Sequence, residues 1–436
     1  MSEKTDEFLE KLAPCVEKGD LEACVDDASK LAEEMGIGGE ELLDLSSKFG
    51  EEGRLDFTYV LAVAASQVLG DDKQTRAYYN AGLAAQSLKH YEKSEIYYKK
   101  AIESDSKYAL AHNNYAILLA NLGRRDEAED QYKKAIELDP KDAQAHNNYA
   151  ILLDDLGRRD EAEDQYKKAI ESDPKYALAH NNYAILLANL GRRDEAEDQY
   201  KKAIESDPKY ALAHNNYANL LREMERFSEA EREVRAALQI EPSNPYALST
   251  LGDILADEEY FEEAEEQYKE ALKNSGSMDK SALSEVHNNL GYVYFQLKQY
   301  KKAEKEFQKS IELSGNVKAI RNLRAIKKAD KIGVNFREGI PRYQKCFLIF
   351  VMLLLLGFCY YLFLFWEIEG EKRLLSDTMF VAQSSILIGL LIFVLFANQL
   401  ARLKVGTQGV EMEMSTEHRT VEAKSLYAEA APRLER

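Results

Sequence analysis

KYALAHNNYAILLANLGRRDEAEDQYKKAIELDP, residues 107–140, decides how this chain is read. It returns as residues 175–208 with one change, Leu138 against Ser206. Between the copies, residues 141–174 differ from the second at four positions only: Asp142, Gln144, Asp154 and Asp155. The period is 34 residues. Self-similarity at such a spacing marks a unit that buries its apolar face against its neighbours.

Ala109, His112, Tyr115, Ala116 and Leu119 recur at helical spacing and form one apolar stripe. Gly123 breaks that helix. Ala128, Tyr132, Ala135 and Ile136 then mark the inner face of a second helix. Asp139-Pro140 stops it, because proline lacks an N–H and restricts the residue before it. Small residues at Ala116 and Ala128 let the two helices approach closely, with the ring of Tyr132 beside them.

The small–large–small pattern, the glycine turn and the terminal proline at this period resemble the tetratricopeptide repeat family. The resemblance implies an all-α helical solenoid, a superhelix of antiparallel helix pairs. The same pattern fits residues 75–106 (Gly82, Ser94, Tyr98, Ala101) and 211–242 (Ala218, Ala230, Val234, Ala237). It continues over residues 245–276 (Gly252, Ala264, Tyr268, Ala271) and 284–315 (Gly291, Ala303, Phe307, Ser310). Seven units therefore cover residues 75–315, with an expected loop at residues 277–281. Residues 1–74 are helical by pattern, with a stripe of Leu21, Cys24, Val25, Ala28, Leu31, Ala32 and Met35 after the cap residue Asp20. Degenerate repeats or a separate cap both fit, and Pro14 is placed to kink or divide the first helix. Residues 316–345 read as a capping helix, with Val317, Ile320, Leu323 and Ile326 inward, followed by a basic segment.

Residues 346–366 are 21 positions without a charge. At ~1.5 Å rise each they span ~30 Å of hydrocarbon. Residues 379–401 are a second apolar run, which adds a transmembrane helical hairpin to the predicted fold. The loop between them, residues 367–378, carries Glu367, Glu369, Glu371 and Asp377 against Lys372 and Arg373. Ahead of the first run, residues 318–345 carry nine basic side chains against Asp330 and Glu338. The positive-inside rule then places the array, both termini and the polar tail 402–436 in the cytoplasm, with the short loop outside. The basic side chains Lys327, Lys328, Lys331, Arg337, Arg342 and Lys345 are candidates for membrane-lipid headgroups. Fixing topology accounts for the same charges.

The formal net charge of −19 argues against a general nucleic-acid binder. Cys15, Cys24, Cys346 and Cys359 form no C-x-x-C pair, so neither a disulfide framework nor a zinc site is expected, and a reducing compartment fits. No H-E-x-x-H, G-x-S-x-G or phosphate loop occurs, and Gly36-Ile37-Gly38-Gly39 follows no strand. Neither an enzyme nor a bound cofactor is predicted. Oligomeric state leaves no mark in the sequence.

What recurs on the first helix of each unit is Asn-Asn: Asn113-Asn114, Asn147-Asn148, Asn181-Asn182, Asn215-Asn216 and Asn288-Asn289. Amides both donate and accept, so a row of them at one pitch suits the backbone of an extended peptide. The resemblance extends to the asparagine ladders of some superhelical repeat proteins. In the family's own consensus, asparagine at the second position serves contacts between repeats, and the residues alone leave both readings open. The carboxylate clamp of chaperone-tail binders is absent, since asparagines hold its lysine and arginine sites. His112, His146, His180, His214 and His287 are read as packing residues, because successive copies lie ~10 Å apart and a metal is bound at ~2 Å. The expected function is a membrane-anchored scaffold recruiting a protein or peptide on the concave face of the array. The alternative is an accessory subunit of a membrane insertion, export or envelope-assembly complex, acting through its hairpin.

Overall fold

A computed structural model of the chain describes residues 3–70 and 73–331. These residues form nineteen α-helices and no strand. The two apolar runs, the loop between them and the tail lie outside the described residues. No described helix is long and apolar enough to cross a membrane. The described residues divide into two compact units after Leu220.

The first unit opens with α1 (Glu3–Lys18), α2 (Leu21–Met35), α3 (Gly39–Glu51) and α4 (Leu55–Val68). Helix pairs follow: α5 (Gln74–Ser87) with α6 (Tyr91–Ser104), and α7 (Ala109–Asn121) with α8 (Arg125–Leu138). They continue as α9 (Ala143–Asp155) with α10 (Arg159–Ser172) and α11 (Ala177–Asn189) with α12 (Arg193–Ser206). Helix α13 (Ala211–Glu223) carries the division. The second unit holds α14 (Phe227–Ile240), then α15 (Pro245–Asp257) paired with α16 (Phe261–Lys273). Its last elements are α17 (Lys280–Gln296) paired with α18 (Tyr300–Ser314), and α19 (Val317–Lys331) packed on α18.

Each tight reversal inside a pair has one cause. Gly123 takes φ +78°, its N–H reaches Ala120 O at 3.0 Å, and Arg124 N reaches Leu119 O at 2.9 Å. These crossed bonds satisfy the carbonyls that a helix end leaves open, and they need a left-handed residue. Gly157 and Gly191 repeat the arrangement. Lys89, Glu225, Glu259 and Lys298 hold the same place with φ between 59° and 66°, where a side chain is strained.

Between helices of a pair, Ala116 and Ala128 are wholly buried, as is Tyr132. Tyr132 stacks on Tyr149 of the next pair at 6.0 Å between ring centres, and Tyr166 on Tyr183 likewise. The chemistry is the same at each junction because the residues are the same.

Several expectations change. Helices α3 and α4 form a further helix pair ahead of α5, in which Ser46 Oγ donates to Thr58 O at 2.9 Å. At the matching place in the next pair the direction is reversed: Ser94 of α6 donates to Gly82 O of α5 at 2.7 Å. Pro14 sits inside an undivided α1, which gives up one backbone bond there without ending. The loop expected at residues 277–281 is shorter. Asp279 caps α17 by accepting from Ser281 N and Ala282 N, both at 2.8 Å, so the extra residues lengthen the helix instead. Helix α19 keeps Ile326 inward and Ile320 and Leu323 half-buried as expected, but not Val317. Ala319, Asn322 and Ile326 are buried while Val317 is 60% exposed, because Asn322 Nδ2 reaches Asn288 Oδ1 at 3.2 Å. Finally, Cys15 and Cys24 are joined by a disulfide, against the expectation of free thiols, because α1 and α2 fold back with their Cα atoms 5.6 Å apart.

Candidate partner-binding face

The asparagine pairs stand one turn into α7, α9, α11 and α13, and two turns into the longer α17. Asn114 Nδ2 donates to Tyr79 Oη at 2.6 Å. Asn148 then donates to Asn113 Oδ1 at 3.3 Å, Asn182 to Asn147 at 3.0 Å and Asn216 to Asn181 at 3.1 Å. Within a pair, Asn113 donates to Asn114, Asn147 to Asn148 and Asn181 to Asn182 at 3.1–3.4 Å. The second unit has its own version, in which Asn289 donates to Asp253 and Asn288 to Asn289. All ten amides, Asn215 included, are buried. In the first unit the amides of α7, α9, α11 and α13 thus form a bonded row that ties each first helix to the next, and in the second unit Asn288 and Asn289 join α17 to Asp253 of α15. A buried amide needs such partners, since leaving one unmade costs about 1–3 kcal/mol.

Other side chains share the stripe, spaced three or four residues from the amides. Leu110, Gln144 and Leu178 lie one turn before them, half-buried, and Asn121, Asp155 and Asn189 stand at the far ends. The wall therefore offers apolar, amide and carboxylate groups at its rims. Asp154 also lies there, and burial pushes its carboxyl above the usual range.

A second recurring cluster holds the second helices. Arg158 Nη1 donates to Glu129 Oε2 at 2.7 Å, and Tyr149 Oη donates to Glu129 Oε1 at 2.9 Å. Burial opposes the charge on Glu129, but hydrogen bonds from Arg158, Lys133 and Tyr149 outweigh it and hold the carboxyl at about 2. Glu95 and Glu163 stand in the same surroundings and also titrate at about 2. Arg124, Arg158 and Arg192, at the turns, thus clasp neighbouring pairs.

The recurring histidines pack as expected. His146 Nδ1 lies 2.7 Å from Gln165 Oε1, and its Nε2 lies 3.1 Å from Pro140 O. Among the described residues no cluster of three or more His, Cys, Asp or Glu side chains is arranged to hold a metal.

The sequence reading passed over one site. Arg222 is buried and donates through Nη1 to Asp253 Oδ2 at 3.0 Å and through Nε to Asp257 Oδ2 at 2.9 Å. Asp253, wholly buried, also accepts from Tyr268 Oη at 2.5 Å and Asn289 Nδ2 at 2.9 Å. The signal was present: the two aspartates follow Arg222 by 31 and 35 residues, bracketing one repeat.

Sequence profiles of the tetratricopeptide repeat match residues 75–108, 97–130, 114–177, 149–211, 190–254 and 243–316, more than half of the chain. The chain belongs to the tetratricopeptide repeat family. Among solved structures this repeat protein is similar to PilF of Pseudomonas aeruginosa, at 20% identity and a TM-score of 0.44, over 50% of this chain and 97% of that one. It is similar to a tetratricopeptide repeat protein from Parabacteroides merdae at 20% identity and a TM-score of 0.46, over 58% and 98%. YrrB, a repeat protein with an unusual peptide-binding site, aligns at 26% identity and a TM-score of 0.32, over 39% and 89%. A comparison with curated proteins finds no match.

Proposed function

We propose that this repeat protein is a membrane-anchored scaffold whose array recruits a protein partner on the face built by its first helices. The observation that carries the reading is the row of near-identical first-helix stripes in α7, α9 and α11, held at one pitch by the amide bonds. A surface repeated in this way suits an extended chain whose contacts repeat with it. Because the amides already bond one another, the partner's contacts fall to the rims at Leu110, Gln144, Leu178, Asn121, Asp155 and Asn189. Backbone contacts by the amides belong to the same reading, since an amide both donates and accepts.

The anchoring half rests on the apolar runs 346–366 and 379–401, and the basic segment before them supports a cytoplasmic array. A photo-crosslinking residue at Gln144 or Asp155, in intact membranes, should capture a discrete partner. The same residue at Lys133 or Lys134 on the second helix should not. Equal capture at both faces would refute the assignment of the face. Replacing the hairpin by an unrelated two-span anchor separates the alternative: if capture at Gln144 is lost, the hairpin carries the function.

A further inference from the structure

Helix α19 stands in the place of a first helix. It docks through Ala319, Asn322 and Ile326, and Asn322 continues the amide row by bonding Asn288. Among the described residues no following helix completes the pair. Its outer side carries Val317, Arg321, Arg324 and Lys327, all exposed. Residues 317–329 hold five basic side chains, Lys318, Arg321, Arg324, Lys327 and Lys328, and no acidic one, in a chain of net charge −19. Lys327 lies 3.9 Å from Glu304, an exposed pair that solvent screens to little effect.

We propose that this outer side of α19 docks on an anionic lipid surface. The inference rests on the anchored reading, and three observations carry it further. The charge is concentrated on one short helix with no acidic side chain in residues 317–329, whereas in the neighbouring α18 three glutamates offset four lysines. The helix is the last one described before the first apolar run, separated from it by residues 332–345, a span of at most about 50 Å when extended. The bulk of the acidic array is repelled by an anionic surface, so the basic end is the one it presents. An acidic protein surface would be attracted by the same charges. It lacks the continuity with the apolar run, and it enters only as an outcome of the test.

The test uses the full chain reconstituted into vesicles of phosphatidylcholine, with and without phosphatidylserine, and follows amide hydrogen exchange in α19. The expected result is slower exchange in α19 on phosphatidylserine vesicles only, reversed by high salt and by the pair Arg324→Glu and Lys327→Glu. Each cation near an anionic surface contributes roughly fivefold to the partition, and exchange in α18 should stay unchanged in the variant. Equal exchange on both vesicles, or protection that survives the charge reversal, overturns the proposal. So does protection of α19 by a soluble acidic polypeptide with none on phosphatidylserine vesicles. Flotation with pure phosphatidylcholine vesicles reads the anchor separately. Failure there sinks the anchored reading, while the comparison of the two lipids still decides α19.

Discussion

Replacing Arg222 by methionine is the sharpest test of the wall in the second unit. The guanidinium is buried and sits between Asp253, wholly buried, and Asp257, about a third exposed. Methionine keeps the stem and removes the charge. Asp253 then retains its neutral donors, Tyr268 and Asn289, but no cation. Breaking a buried pair from one side costs about 3–5 kcal/mol, most of it the stranded charge. Adding Asp253→Asn removes that charge and should restore roughly 2 kcal/mol or more of the loss. Because repeat arrays do not unfold in one step, local opening energies from hydrogen exchange in α15 to α18 are the proper readout. A loss below about 1 kcal/mol for Arg222→Met, or a double variant no better than the single one, would show that the network does not hold these helices.

Four further outcomes follow from the junctions. Lys89→Gly and Lys298→Gly should each stabilise by roughly 0.5–1 kcal/mol, since relief of left-handed strain exceeds the entropy lost; thermal unfolding checks the sign. Glu95, Glu129 and Glu163 have folded pKa values near 2, below their ordinary range. Their contribution is present above that range and is lost as pH falls toward 2. An acid titration followed by circular dichroism should show it, and Glu129→Gln should flatten it. Deleting residues 141–174 should leave a folded array one unit shorter, because Asn182 meets Asn113 where it met Asn147; faster exchange throughout α12 would contradict this. In a cytoplasmic array, Cys15 and Cys24 trapped in cells should be thiols that close on air oxidation, with a gain of about 2–3 kcal/mol for so short a loop. Recovery of the disulfide from trapped cells would place the array on an oxidising side.

What was legible in the sequence was whatever repeats. Ala116, Ala128 and Tyr132 announced the packing of a pair because the same residues return at a fixed interval, and the structure buries all three. Local chemistry was legible as well: Asp20 caps α2, accepting from Ala23 N. Singular contacts were not. The partners of Arg222 lie a repeat away, and only the fold shows that its side chain meets both aspartates. On α19 the inward place of Ile326 was legible, but that of Asn322 was not: its Nδ2 meets Asn288 because a buried amide must be satisfied, and Val317 is left exposed. The asparagine row was legible as a row, though its bonding was not, since amide chemistry serves a wall and a ligand equally.

The near-identity of the central units has a consequence for any extended partner. A chain that slips by one repeat along α7, α9 and α11 meets the same amides and the same isoleucines, Ile117, Ile151 and Ile185. Those contacts add affinity but set no register, because the slipped and unslipped complexes differ little in energy. Register must come from positions where the stripe departs from its repeat. In this unit those are Gln144, Asp154 and Asp155 in α9, and Asn219, which stands in α13 where the others have isoleucine. Asp154 is the strongest of these. Burial already raises its carboxyl, so a partner cation placed there relieves a cost that the neighbouring helices, with Ala120 and Ala188, do not carry. Asp154→Ala would make α9 resemble its neighbours at that position. On this argument it should broaden the register of a crosslinked partner more than it weakens binding.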